Sequence, residues 1–336
     1  MLRRKISFFL YTAVCLGGMA CKKETKIEKV TDDGYFGRAG NIINDNSGLS
    51  SFNYFLRSYP GHLADTLLQP GPYTVMAPAN TAFFIQISQF SYDTVSIRNA
   101  LAMPYFVLNG QLSLKQLPVG LNQELTTMTG NKIWVSKWVN GTDTVITVNG
   151  ARVSTVDAPV TNGLLNVLNR TYLAYAGNDC AGPVFNRYNL SFFAAALQRC
   201  HWDDSLRSGG PYTVLAPDNT AFINRGFPNM DSVLHTNIDT LARLVKAHVL
   251  KTRKFLYDFE MDKVTNDTLY YSLNNDLVRT VLIPETRFTT YDPLAKRIVF
   301  LGKNDVYTAP TRFDLQNLAW PCGNGTVLTI DKVLKQ

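Results

Sequence analysis

The chain has 336 residues, of which 46% are hydrophobic and 18% charged, and a formal net charge of +7. That length favours about two domains of ordinary size, each with enough apolar content to fill a core without disulfide or metal staples. Discounting Arg3, Arg4 and Lys5 lowers the charge to +4, which is too thinly spread for a nucleic-acid surface, so no nucleic-acid partner is expected.

The chain opens with cationic residues from Arg3 to Lys5 and an apolar run from Ile6 to Ala20, in which Gly17, Gly18 and Ala20 bring small side chains up to Cys21. The run is about 15 residues long, short of the roughly 20 that span a bilayer, so residues 1–20 read as a signal peptide. Small residues followed by cysteine resemble the bacterial lipobox, with Gly18 where leucine is usual. The resemblance implies that Cys21 becomes an acylated N-terminus attached to a membrane. It also implies a cell-envelope location, at the outer membrane of a Gram-negative bacterium and facing either the periplasm or the outside. Cleavage by the ordinary signal peptidase is the alternative. Residues 21–44 begin with a mixed-charge, apolar-poor run from Lys22 to Lys29 and read as a tether.

A helix is predicted from Leu49 to Arg57 on the helical spacing of Phe52, Phe55 and Leu56, and its counterpart runs from Leu190 to Arg199. After each comes a shorter helical stretch, then a Gly-Pro turn, then a segment that occurs twice. Tyr73 to Phe83 reads YTVMAPANTAF, and Tyr212 to Phe222 reads YTVLAPDNTAF. The first half of the segment is rich in strand formers, and Pro78 or Pro217 stops the ladder. Asn80 or Asn219 then follows with a side chain suited to capping a helix. The chain is therefore a duplication.

The middle of each copy diverges. Asn237 to Leu250 reads as an amphipathic helix with Ile238, Leu241, Val245 and Val249 inward, whereas Met103-Pro104 ends the first copy's helix early. The first copy continues into predicted strands at 132–139 and 144–148 around Asn140-Gly141, a strong hairpin signal. Trp134 and Trp138 share one face of that strand with Ser136, opposite Ile133, Val135 and Val139. If the aliphatic face is the core, the two tryptophans form an exposed platform for sugar rings or a protein partner. Otherwise they pack under a neighbouring helix or against the second copy. The second copy carries an insertion around residues 265–321.

The strand-to-helix turn around Pro78 and Asn80, and again around Pro217 and Asn219, resembles the first signature of the fasciclin (FAS1) domain. The stretches 148–153 and 162–173, and the closing run from Asn324 to Leu334, resemble that family's C-terminal strands. The family's Tyr-His pair is divided between the copies: Tyr105-Phe106 keeps the tyrosine and Ala247-His248 keeps the histidine. The resemblance implies an α+β fold of two tandem fasciclin-like domains, at 45–175 and 183–336. Each is expected to be a β-sandwich or wedge with small helices packed at one end. It further implies a protein that is not an enzyme, has no cofactor, and mediates cell adhesion or extracellular interactions with an unidentified protein or polysaccharide. The runner-up is an accessory lipoprotein that binds glycan or a nutrient for uptake.

The residues themselves point the same way. His62, His201, His235 and His248 show no metal-ligand spacing, and neither a nucleophile elbow nor a phosphate-binding glycine loop occurs. His248 is expected to be a buried, hydrogen-bonded residue. Cys180 and Cys322 lie in Gly/Pro-rich loops flanking the second copy. A bridge between them is one reading, and three reduced thiols with Cys200 is the expected one.

Overall fold

The computed structural model describes residues 34–87, 100–171, 177, 179–255, 257–259, 269–284, 296–302 and 319–335, and Cys21 lies outside them. In the first copy the helices are α1 (Ala39–Asp45), α2 (Ser50–Ser58), α3 (Leu63–Thr66) and α4 (Asn80–Ile87). Its strands are β1 (Tyr73–Pro78), β2 (Val107–Asn109), β3 (Gly120–Thr126), β4 (Lys132–Asn140), β5 (Asp143–Val148), β6 (Ala151–Val160) and β7 (Gly163–Leu168). They form one seven-stranded sheet in the order β2-β1-β7-β6-β5-β4-β3. The β1–β7 pair is parallel and runs in register from Tyr73 opposite Gly163 to Pro78 opposite Leu168.

The second copy has helices α5 (Ala181–Phe185), α6 (Ser191–Arg199), α7 (Asp203–Ser208), α8 (Asn219–Arg225), α9 (Met230–Leu234) and α10 (Ile238–Ala247). Its strands are β8 (Tyr212–Pro217), β9 (Val249–Leu250), β10 (Leu269–Tyr271), β11 (Leu277–Pro284), β12 (Lys296–Leu301), β13 (Trp320–Cys322) and β14 (Gly325–Ile330). The sheet β13-β14-β8-β9 repeats the arrangement β6-β7-β1-β2, again with a parallel central pair, β8 with β14. The described part of the insertion forms a separate sheet, β10-β11-β12, joined to β9 through a bridge between Leu250 and Ser272.

The two parallel pairs begin alike. The glycine opposite the first tyrosine leaves no room for a side chain, because a Cβ on Gly163 would lie 1.8 Å from the Tyr73 carbonyl oxygen and one on Gly325 2.2 Å from that of Tyr212. Two separate apolar cores result. Phe52, Phe55 and Leu56 of α2 enter the first with Ile43, Phe83 and Val107. Phe193 and Leu197 of α6 enter the second with Phe222, Leu241, Val245 and Val249. The fold is thus mixed α+β in two tandem copies.

Three details depart from the sequence reading. Residues 39–44, assigned to the tether, form α1 of the first core together with Asp45. Ala39 and Ile43 are fully buried there, and the Ala39 amide donates to the Asn162 side chain 123 residues away, a partner that local composition cannot reveal. The helix predicted for Asn237 to Leu250 stops at Ala247, and Val249 enters β9, paired with Val214. Ile238, expected inward, is 42% exposed in the first turn of α10, whose buried face is formed by Leu241, Leu244 and Val245.

Among the described residues no helix is long and apolar enough to cross a membrane.

Candidate functional site

The repeated turn begins where the parallel pair ends. The amide after each proline closes it identically: Ala79 N–H donates to Leu168 O and Asp218 N–H to Ile330 O, both at 2.9 Å. Pro78 and Pro217 are buried at equivalent positions.

Asn80 and Asn219 do not cap the helices they begin, contrary to the sequence reading. The Asp218 carboxylate, one residue earlier, caps α8 by accepting from Ala221 N–H at 2.7 Å. In the first copy that position is Ala79, which has no polar side chain to offer. Each asparagine instead reaches across to the start of the neighbouring helix. Asn80 Oδ1 accepts from Ser51 N–H (2.9 Å), and its Nδ2 donates to Ser47 O (2.7 Å) and Ser50 Oγ (3.0 Å). Asn219 makes the matching bonds with Phe192 N–H (3.0 Å), Tyr188 O (2.9 Å) and Ser191 Oγ (3.0 Å). The carboxamide therefore satisfies orphan amide donors of α2 or α6 and pins that helix to the signature turn.

A second carboxamide pair, at Asn162 and Asn324, holds the opposite end of the parallel pair. Asn162 Oδ1 accepts from Ala39 N–H (2.7 Å), and its Nδ2 donates to Leu67 O (2.9 Å) and Gln69 O (2.7 Å). Asn324 does the same with Cys180 N–H (2.9 Å), Leu206 O (2.8 Å) and Gly209 O (2.6 Å). Sequence reading placed these two residues only within the closing signature. The signal that could have singled them out is an Asn-Gly in each copy followed by a strand of the same length.

The divided Tyr-His pair resolves into two solutions for one position. His248 and Phe106 both precede the short edge strand, and both are fully buried. Phe106 packs edge-on against Phe52, with centroids 5.9 Å apart, and His248 packs likewise against Phe193 at 6.1 Å. His248 adds polar links: Nδ1 lies 2.7 Å from Leu244 O and Nε2 accepts from Leu334 N–H at 2.9 Å. A carbonyl on one side and an amide donor on the other select the neutral tautomer protonated on Nδ1. Tyr105 is half-buried against the first core, and its counterpart Ala247 is buried in the second copy.

Trp134 and Trp138 do not form an exposed platform. They are 1% and 4% exposed, because the face of β4 opposite the first core is covered by the second copy. Trp134 joins a cluster with Leu215, Leu250, Phe255 and Leu328, and Trp138 packs with Val145 and Tyr257. The Arg253 guanidinium stacks 3.9 Å above the Trp134 ring and donates to Cys322 O and Gly323 O at 3.0 and 2.6 Å. Asn122 Nδ2 donates to Arg253 O across the same seam at 2.8 Å. The aliphatic face does pack inward through Ile133 and Val135, but Val139, assigned to that face, is 50% exposed at the strand's end.

Among the described residues no group of three or more His, Cys, Asp or Glu could hold a metal ion. Cys180, Cys200 and Cys322 are not bonded to one another in the structure, and the first and last of them are buried.

The sequence pattern that defines the fasciclin domain matches residues 47–173 and 188–336. The chain belongs to the fasciclin domain family. Its two fasciclin domains are similar in sequence to several curated proteins. Transforming growth factor-beta-induced protein ig-h3 of Sus scrofa is 26% identical over 187 residues, 54% of this chain and 26% of that protein. Periostin of Homo sapiens is 26% identical over 186 residues, 54% of this chain and 21% of that protein. Stabilin-2 of Rattus norvegicus is 26% identical over 223 residues, 62% of this chain and 15% of that protein. The matches thus span about a quarter or less of these relatives' lengths. Among solved structures, the FAS1 domain pair of the insect cell adhesion molecule fasciclin I aligns with 86% of this chain and 97% of its own, at 17% identity and a TM-score of 0.39.

Proposed function

We propose that this is a non-enzymatic, lipid-anchored cell-envelope protein that adheres to an extracellular protein or matrix surface through its paired fasciclin domains. The observation that carries this reading is the direction of the signature polar side chains. Asn80, Asn219, Asn162, Asn324 and His248 all hydrogen-bond to the scaffold, so the motifs build a platform and present no reactive group at its surface. What remains available to a partner is exposed side chain. Tyr188 is 92% exposed, and Asn219 binds its backbone carbonyl, so an aromatic handle stands beside the signature turn. Phe36 is 72% exposed on the first copy. The tryptophan seam supports the same role, since buried aromatics join the two copies. Acylation of Cys21 would supply that anchor, and the apolar run ending in small residues before it supports this part of the reading.

The test is adhesion of beads coated with the purified chain to immobilised matrix proteins and cell surfaces, beside a polysaccharide panel. Binding to protein surfaces that weakens in Tyr188→Ala is expected. Retention by polysaccharide alone would replace adhesion with glycan capture. For the anchor, Cys21→Ser should move the protein out of the membrane fraction, and its persistence there would refute acylation.

A further inference from the structure

We propose that Cys180 and Cys322 are joined by a disulfide in the exported protein, closing the second fasciclin domain across its whole length. The inference rests on the export reading above for its oxidising compartment and on the structure for its geometry.

Cys322 lies on β13 directly opposite Gly325 on β14. Residues paired across antiparallel strands project side chains to the same face, with Cβ atoms about 4.5–5.5 Å apart. Gly325 has no side chain, and the Cys180 Sγ occupies its place, 2.8 Å from where a Cβ would stand. One thiol therefore sits where the cross-strand neighbour of the other would be. The backbone holds this arrangement. Cys180 N–H donates to Asn324 Oδ1 (2.9 Å) and Gly323 N–H to Gly177 O (3.2 Å), which ties the segment before α5 to the β13–β14 turn. Cys200 is elsewhere, at the end of α6, with its thiol on Ala196 O (3.0 Å) and Leu197 O (3.6 Å).

The first copy shows that the fold does not require cysteine at these positions. Ala39 stands where Cys180 does, since its amide binds Asn162 as that of Cys180 binds Asn324. Val160 pairs with Gly163 as Cys322 pairs with Gly325. Alanine and valine stand at these positions in one copy, and two cysteines in the other.

The chemistry balances through thiol–disulfide exchange. A disulfide donor, such as oxidised glutathione or an oxidase's disulfide, forms a mixed disulfide with one cysteine and releases one thiol. The other cysteine then attacks, the Sγ–Sγ bond closes, and the donor's second thiol leaves, so two electrons and two protons pass to the donor. Both thiols are fully buried in the folded chain, so exchange precedes closure of the core. In the reduced folded chain the neighbouring Cys322 thiol and burial hold the Cys180 thiol well above the ordinary 9.0, which disfavours the attacking thiolate and is a second reason for exchange to precede folding.

The experiment refolds the reduced full chain in a glutathione redox buffer, quenches with acid, alkylates under denaturing conditions and maps the peptides by mass spectrometry. The expected result is a Cys180–Cys322 cross-linked peptide pair with Cys200 alkylated. Reductant should lower the Tm of the oxidised protein by roughly 5–15 °C, the range expected when a loop on the order of 140 residues is opened. A Cys180→Ala/Cys322→Val variant, carrying the residues of the first copy, should fold and lose that reductant dependence. Both cysteines alkylated after oxidative refolding, a bridge to Cys200, or a reductant effect that survives in the variant would overturn the geometry. A chain that cross-links in the refolding buffer but is recovered from its own cells with both thiols alkylated would instead overturn the compartment.

Discussion

Replacing Asn162 by alanine removes a side chain that is 2% exposed and joins three parts of the first domain: the start of α1, the end of α3 and the β6–β7 turn. Three neutral hydrogen bonds at about 1 kcal/mol each, plus the penalty for leaving the Ala39 amide and the Gln69 carbonyl unsatisfied while Leu67 O keeps the Gly40 amide, give an expected loss of about 3–5 kcal/mol. For a domain of this size that lowers the Tm by roughly 10 °C, measured by thermal unfolding followed by circular dichroism. The informative comparison is Asn162→Asp, which matches asparagine in shape. It keeps the acceptor for Ala39 N–H but replaces the donor with a second oxygen facing Leu67 O and Gln69 O, so a buried charge would meet two carbonyls. Asn162→Asp is therefore expected to be less stable than Asn162→Ala, although it is closer in volume. If aspartate is tolerated better than alanine, or if both variants melt within about 3 °C of the wild type, the carboxamide is not holding these elements together and the reasoning fails.

Other perturbations probe separate links. Trp134→Ala should cost about 3–5 kcal/mol and open the seam, so that a single denaturation transition divides into two when followed by fluorescence and circular dichroism. Gly163→Ala forces a Cβ against the Tyr73 carbonyl at a residue with φ +144°, and it should abolish soluble expression of the first domain while Gly141→Ala, with open space around its Cβ, does not. Asn80→Ala should destabilise by about 1–2 kcal/mol through loss of the cap on α2, with hydrogen exchange at Ser51 rising before that of β1. In the reduced protein, burial raises the Cys200 thiol above its ordinary 9.0 and the Cys322 contact and burial raise that of Cys180. The unfolded chain then loses protons first. Stability should be constant below about pH 9 and decline above it, and the Cys180→Ala/Cys322→Val/Cys200→Ala variant should flatten that decline.

Much of the architecture was legible locally. A run of strand formers stopped by proline can only end a ladder, and the repeat of that run in Tyr73–Pro78 and Tyr212–Pro217 announces two copies before any contact is known. The apolar spacing of Phe52, Phe55 and Leu56 likewise suffices for α2. The capping asparagines were harder, because Asn80 and Asn219 are good caps by composition while the helices they satisfy begin some 30 residues earlier. The tryptophans were harder still. Period two separates the faces of β4, but it does not say that both faces will be covered.

By itself the sequence determined the duplication, the strand-proline-helix turn at its centre and the apolar faces that make each core, because these follow from backbone preferences and spacings within about ten residues. Only the tertiary structure decided where the carboxamides of Asn80, Asn162, Asn219 and Asn324 point, that Trp134 and Trp138 are sealed in a seam, and that the Cys180 thiol occupies the empty place beside Gly325. The physical reason is distance along the chain. Asn324 meets Cys180 across 144 positions and Asn122 meets Arg253 across 131, and no local pattern encodes which residues such a closure brings together.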